Sequence, residues 1–64
     1  MTIGEVKKAL NRPVRFRAAE YILTGCIIRR DMKTQQFFYQ AELLDTTTNN
    51  SIVICRLEEI EEVK

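Results

Sequence analysis

The hydrophobic positions of this chain recur first at a helical spacing and then, from Pro13 onward, at a strand spacing. The apolar positions of the first stretch are Ile3, Val6 and Leu10. Their intervals of three and four residues predict a short amphipathic helix over about residues 2–11. Thr2 and Glu5 fit a capping box at its start, in which each side chain bonds a backbone N–H of the first turn. The helix is predicted to end before Pro13, which cannot continue it.

Beyond the helix, the alternation of apolar and polar residues predicts five strands joined by short polar connections. Their ranges are about 13–17, 20–30, 36–45, 51–56 and 60–63. The first strand alternates apolar residues with Arg15 and Arg17, which is typical of one buried and one solvated face. The second is apolar on both faces and carries Gly25 near its centre, where an isolated glycine is typical of a bulge or a sharp bend.

The C-terminal residues leave two interpretations open. Leu57, Ile60 and Val63 recur every three residues, which is typical either of a 3₁₀ turn leading into a short strand or of a frayed helical end. The turn and strand are favoured, because so short a helix without its own packing partner is unstable. The pattern as a whole predicts one small, mainly β domain over residues 1–64 with a short N-terminal α-helix.

The length of the chain limits what it can build. A domain of 64 residues buries only about 60% of the surface of its unfolded chain, so its stability is marginal and a partner or second copy would add to it. No apolar run approaches the roughly 20 residues that span a bilayer, and the first residues lack the apolar segment of a signal peptide. We therefore expect a cytoplasmic protein that does not contact membranes.

Charge is divided unevenly between the two halves of the sequence. Residues 1–33 contain eight basic and three acidic residues, a net +5, whereas residues 34–64 contain two basic and six acidic residues, a net −4. This division fits either one dipolar monomer or copies that pair head to tail.

The sequence lacks the residue sets on which common enzymes depend. It has no histidine, which removes the commonest general base and the commonest zinc ligand. Its two glycines cannot form a phosphate-binding loop. Cys26 and Cys55 lie in separate apolar runs and are expected to be buried, reduced thiols. We expect no enzymatic activity, no metal or cofactor, and no small-molecule substrate.

Basic residues around the first two predicted strands form one candidate site, for nucleic acid. They are Arg12, Arg15, Arg17, Arg29, Arg30 and Lys33. On adjacent strands they would form one basic edge, with Phe37, Phe38 or Tyr39 nearby to stack on bases. In the alternative interpretation, the arginines keep one strand face solvated and the aromatic residues fill the core. The small net charge favours this alternative, because a dedicated nucleic-acid-binding domain is strongly basic.

Phe38 and Leu44 form a second candidate site, a protein interface. The buried face of the third strand is predicted to consist of Phe37, Tyr39, Ala41 and Leu43. Phe38 and Leu44 then lie on the opposite face, where apolar residues mark either an interface or a second buried layer. The leading hypothesis is a non-enzymatic interaction or accessory module that binds a protein partner or self-associates, with nucleic-acid binding as the alternative.

The order of elements resembles that of the small five-stranded barrels of Sm-like and Src-homology-type domains. The similarity extends from EVKKALNRPVRF to VICRLEEIEEV. It implies a small barrel with an N-terminal helix and identifies no binding residue, because the residues with which those families bind RNA or peptides have no counterpart here. The chain also resembles short uncharacterised accessory proteins of phages and conjugative elements of Gram-positive bacteria, in stretches such as YILTGCIIRR and SIVICRLEEI. That second resemblance implies no activity.

Overall fold

The computed structural model describes residues 1–63 and consists of a short helix followed by five strands. The elements are α1 Ile3–Ala9, β1 Pro13–Phe16, β2 Ala19–Arg30, β3 Phe37–Asp45, β4 Ser51–Arg56 and β5 Ile60–Glu62. All five strands belong to one antiparallel sheet with the order β4-β3-β2-β1-β5. The prediction of a mainly β fold with a short N-terminal helix is confirmed.

Helix α1 begins with the predicted capping box. The Glu5 N–H donates to Thr2 Oγ1 at 3.3 Å, and the Thr2 N–H donates to Glu5 Oε1 at 2.9 Å. The helix ends at Ala9, within the predicted range of 2–11. The spacing of apolar residues predicted that Leu10 lies on the apolar stripe of the helix, but it is 40% exposed. The backbone leaves the helical conformation at this residue, where ψ is 134°.

A two-residue turn joins β1 to β2. Arg17 and Ala18 have φ of 51° and 61°, and Phe16 pairs directly with Ala19. Positive φ at both central residues is the type I′ geometry, whose twist matches that of the strands it connects. Arg17, predicted to end the first strand, therefore lies in the turn. Its guanidinium is 5.1 Å from the centroid of the Phe16 ring.

Strand β2 contains the predicted irregularity, which falls one residue before the glycine. Its register against β3 shifts between Leu23 and Gly25, so Thr24 is the extra residue of a bulge. Thr24 Oγ1 donates to the backbone oxygen of Glu42 at 3.1 Å and to its Oε1 at 3.0 Å. Because the bulge reverses the alternation, Leu23 before it and Cys26 after it both face the core.

The C-terminal stretch adopts the favoured turn and strand. Leu57–Glu59 form a 3₁₀ turn, and β5 then pairs antiparallel with β1. Leu57 and Ile60 are both buried. The helical interpretation of this stretch is wrong, because the three-residue spacing comes from a turn that places two apolar side chains in the core.

The core lies between α1 and one face of the sheet, which we call the inner face. Its buried residues are Val6, Ala9, Val14, Phe16, Leu23, Ala41, Leu43, Cys55, Leu57 and Ile60. Ala41 and Leu43 are buried as predicted. Phe37 and Tyr39 alternate with them on the inner face, yet they are 66% and 38% exposed. Their predicted burial is wrong, because the core does not extend to that end of β3.

Candidate functional site

The six basic residues of the first candidate site lie in two groups. The first group, on or beside β1, is Arg12, Arg15 and Arg17. The second group, at the end of β2 and in the loop after it, is Arg29, Arg30 and Lys33. Arg15 pairs with Glu20, nine residues before Arg29 on β2, which is a strand contour of about 30 Å. The structure therefore does not bring the six side chains together along one edge.

Carboxylates lie beside two arginines of the first group, Arg12 and Arg15. Arg15 is the cross-strand neighbour of Glu20 on β2 and of Glu61 on β5. Such neighbours have Cβ atoms only about 4.5–5.5 Å apart, so each carboxylate offsets the arginine's charge. Arg12 lines a groove with Glu62. The potential around these arginines is therefore less favourable for a phosphate than the sequence suggests.

The second group lies beside aromatic side chains at what we call the distal end of the sheet, residues 27–39. The Arg30 guanidinium is 5.7 Å from the centroid of the Phe37 ring, and the Arg56 guanidinium is 5.4 Å from that of Phe38. Contacts of this length are cation–π interactions. Arg56 also forms an exposed ion pair with Glu58, at 3.7 Å, which contributes little to stability.

Sequence reasoning missed Arg56 as a member of this cluster. Arg56 pairs with Gln40 across β3 and β4, which brings it next to Phe38. The relevant signal was the alternation in SIVICR, which places the arginine on the same strand face as Ile52 and Ile54. Only the register of β3 and β4 shows that this face also carries Phe38.

The loop at the distal end is held by the carboxylate of Asp31. Its Oδ1 accepts the backbone N–H of Lys33 at 2.8 Å and of Thr34 at 3.1 Å. These hydrogen bonds lower the pKa of Asp31 below its ordinary value. Arg30 Nε donates to the backbone oxygen of Gln35 at 3.3 Å. The loop is therefore held by defined hydrogen bonds, which fix the backbone at Lys33 just after Arg30.

The face of the sheet opposite the core, which we call the outer face, carries an apolar row across three strands. Ile22, Leu44 and Ile52 lie opposite one another in the register of β2, β3 and β4. Ile52 and the next outer-face residue of β4, Ile54, are 53% and 44% exposed. Phe38 and Leu44, the predicted interface residues, are half-buried. The most exposed large apolar side chains of this face are therefore on β4.

Ile52 and Ile54 were not singled out from the sequence for a physical reason. The run IVIC is apolar at consecutive positions, which is typical of a strand covered on both faces. In the structure only Cys55 of this strand is buried. The exposure of the two isoleucines follows from the position of β4 at the edge of the sheet.

The two cysteines lie in one row of the inner face, with Ala41 between them. Ala41 pairs with Cys26 on one side and Cys55 on the other, so the cysteines are two strand spacings apart, about 9.6 Å. A disulfide needs a Cα separation of about 4.4–6.8 Å. Both are free thiols, and burial raises the pKa of each. They therefore fill space as small apolar side chains.

Neither a metal-binding cluster nor a membrane-spanning helix is present in the part of the chain that the structure describes. Within residues 1–63, no three His, Cys, Asp or Glu side chains lie close enough together to hold a metal ion. In that same range, no helix is long and apolar enough to cross a membrane. Comparison with protein-family models, curated proteins and solved structures finds no match to this chain.

Proposed function

We propose that this chain is a non-enzymatic protein-interaction module that binds through the outer face of its sheet. The observation that carries the proposal is the apolar row formed by Ile22, Leu44 and Ile52, which continues into the exposed side chain of Ile54. Contiguous exposed apolar side chains on a regular surface mark interaction sites. Burial of this face would also add apolar area to a chain whose small size limits its core.

We also infer that the sheet curls into the small barrel that its element order resembles. The strand order, the bulge at Thr24 and the 3₁₀ turn between β4 and β5 all favour this architecture. Nuclear Overhauser contacts between β4 and β5 across the core are the measurement. Their presence supports a curled sheet in which the β4 edge stays unpaired, and their absence in an assigned spectrum indicates a flat sheet.

The interaction proposal is tested with two adjacent phenylalanines. Phe37 and Phe38 follow one another on β3 and lie on opposite faces of the sheet. Each is replaced, in separate variants, by the photo-crosslinking residue p-benzoylphenylalanine in the source cells. We expect protein adducts after irradiation from position 38 and few from position 37. No adduct from position 38, or equal yields from both, would contradict the proposal.

Nucleic-acid binding at the distal end is the second candidate function. It is favoured by the two arginine–phenylalanine pairs, in which Phe37 is exposed and Phe38 is half-buried. Accessible aromatic rings beside cationic groups bind single-stranded nucleic acid by stacking and phosphate contacts. Arg29 and Lys33 add positive charge near these rings. The first arginine group does not offer this combination, since carboxylates lie beside Arg12 and Arg15 and the Phe16 ring beside Arg17 is buried.

Fluorescence anisotropy with labelled single-stranded DNA and RNA tests this second function. We expect binding that weakens steeply as salt rises, because each phosphate contact releases counterions. Arg29→Gln should weaken binding, whereas the matched control Arg15→Gln should not. Absence of binding at low salt, or equal losses in the two variants, would exclude the distal end as the site.

A further inference from the structure

Strand β4 is an edge strand whose outward backbone groups have no strand partner in the described part of the chain. Along an antiparallel strand, successive residues direct their N–H and C=O alternately to one neighbour and the other. The hydrogen bond from Asp31 N–H to Gln36 O, 2.8 Å long, fixes this alternation for β2 and β3. Followed through the register of β3 and β4, this alternation places the backbone N–H and C=O groups of Ile52 and Ile54 at the open edge.

This edge lacks the features that usually prevent pairing between molecules. Natural edge strands carry charges, proline or bulges, or are very short. Residues 51–55 of β4 contain no charge and no proline, and the first charged residue is Arg56 at the end of the strand. The opposite edge strand, β5, has three residues and carries Glu61 and Glu62. Of the two edges, β4 is therefore the one suited to pair with another strand.

We propose that β4 pairs antiparallel with β4 of a second copy, around a two-fold axis at Val53, and this inference rests on the proposed interaction function. Residues opposite one another in such a pair lie on the same face of the sheet. In this register Ile52 of each copy meets Ile54 of the other, and Val53 meets its equivalent. Arg56 lies opposite Asn50, so the arginines of the two copies do not face each other.

A second copy fits this edge because the sequence around Val53 is symmetric. An isologous interface brings the same surface of two subunits together, so each residue must suit its own symmetry partner. The tripeptide Ile52–Ile54 reads the same in both directions and is apolar throughout. A two-fold axis at Ile54 instead would place Ile52 against Arg56, which is a poorer pair. With the axis at Val53, Ile54 of the second copy lies beside Ile52, so the row of Ile22, Leu44 and Ile52 continues into the second copy.

The size of the contact sets the expected affinity. Stable interfaces bury about 1,200–2,000 Å² in total, and pairing along one six-residue edge buries less. We therefore expect a reversible dimer with a dissociation constant on the order of micromolar, not an obligate one.

Sedimentation velocity of the full chain over a wide concentration range is the first test. We expect the mean mass to rise from monomer to dimer with concentration. Ile54→Lys should weaken dimerisation at least about tenfold, because it places a charge at the edge. Leu10→Lys is the matched control, since Leu10 is comparably exposed but lies at the end of α1. It should leave the dimer unchanged.

Amide hydrogen exchange of the unmodified chain supplies a readout that does not depend on a variant. Edge pairing should slow exchange at the Ile52 and Ile54 amides in concentrated solution relative to dilute solution. A dimer without this protection would overturn the inference, since packing through faces leaves the edge amides exposed. A monomer at every concentration would also overturn it. Neither result would remove the separate crosslink expected at Phe38, so failure of β4 pairing and failure of the interaction function are distinguishable.

Discussion

The turn between β1 and β2 offers a direct test of backbone strain. Ala18 has φ of 61° in a type I′ turn, a conformation that residues with a Cβ disfavour by about 1–2 kcal/mol. Ala18→Gly removes that strain but adds unfolded-chain entropy of about 0.5–1 kcal/mol. We therefore expect the variant to be more stable by about 0.75 kcal/mol, the difference between the midpoints of these two ranges.

Urea unfolding followed by circular dichroism measures this change, and the chain supplies its own control. Ala19 is the adjacent alanine, is also exposed, and opens β2 with an ordinary strand conformation. Ala19→Gly should therefore lower stability by about 0.5–1 kcal/mol, since only the entropy change applies. The reasoning is refuted if both variants lose stability equally.

Three further predictions concern the glycine in β2, the two cysteines and two aspartates with a lowered pKa. Gly25→Ala should be neutral or raise stability by up to about 1 kcal/mol, because φ there is not positive and an added Cβ meets neighbours at ordinary contact distance. An alkylating reagent should modify half-buried Cys26 in the native protein, but buried Cys55 only after unfolding, as peptide mass spectrometry would show. Hydrogen bonds in the folded state lower the pKa of Asp31 and Asp45. The two carboxylates therefore stabilise the fold fully at pH values above the ordinary carboxyl pKa, and this stabilisation is lost as the pH falls. The melting temperature should fall as pH drops below about 4, and less so in the Asp31→Asn and Asp45→Asn variants.

The elements that sequence reasoning located well are those whose causes are local. The capping box of Thr2 and Glu5 joins groups three residues apart, so its pattern is complete within one helical turn. The bulge beside Gly25 and the 3₁₀ turn at Leu57 likewise depend on short stretches of chain. Such features follow from propensity and period without knowledge of the sheet.

Exposure could not be predicted in this way, because it depends on how far the core extends. Phe37 alternates with Ala41 on the same face of β3, yet only Ala41 belongs to the buried core. The exposure of Ile52 and Ile54 could not be predicted for a related reason, because a strand at the edge of a sheet is partly uncovered even when its residues are apolar. Arg15 and Arg29 were expected in one basic edge, and only the register of β1 on β2 separates them.

Unequal strand lengths account for the exposed distal end, and the strand order accounts for the open β4 edge. β2 has 12 residues and β3 has nine, whereas β1 and β5, the strands on the other side of β2, have four and three. The long hairpin extends past the part of the sheet that the core covers, so its distal end exposes Phe37 between basic residues. β4 pairs with β3 and forms the edge of the sheet opposite β5, so Ile52 and Ile54 have a strand on one side only. The distal end and the β4 edge therefore meet at Arg56, whereas Phe37 and Arg30 lie away from β4 and would stay accessible to a second ligand in a dimer paired around Val53.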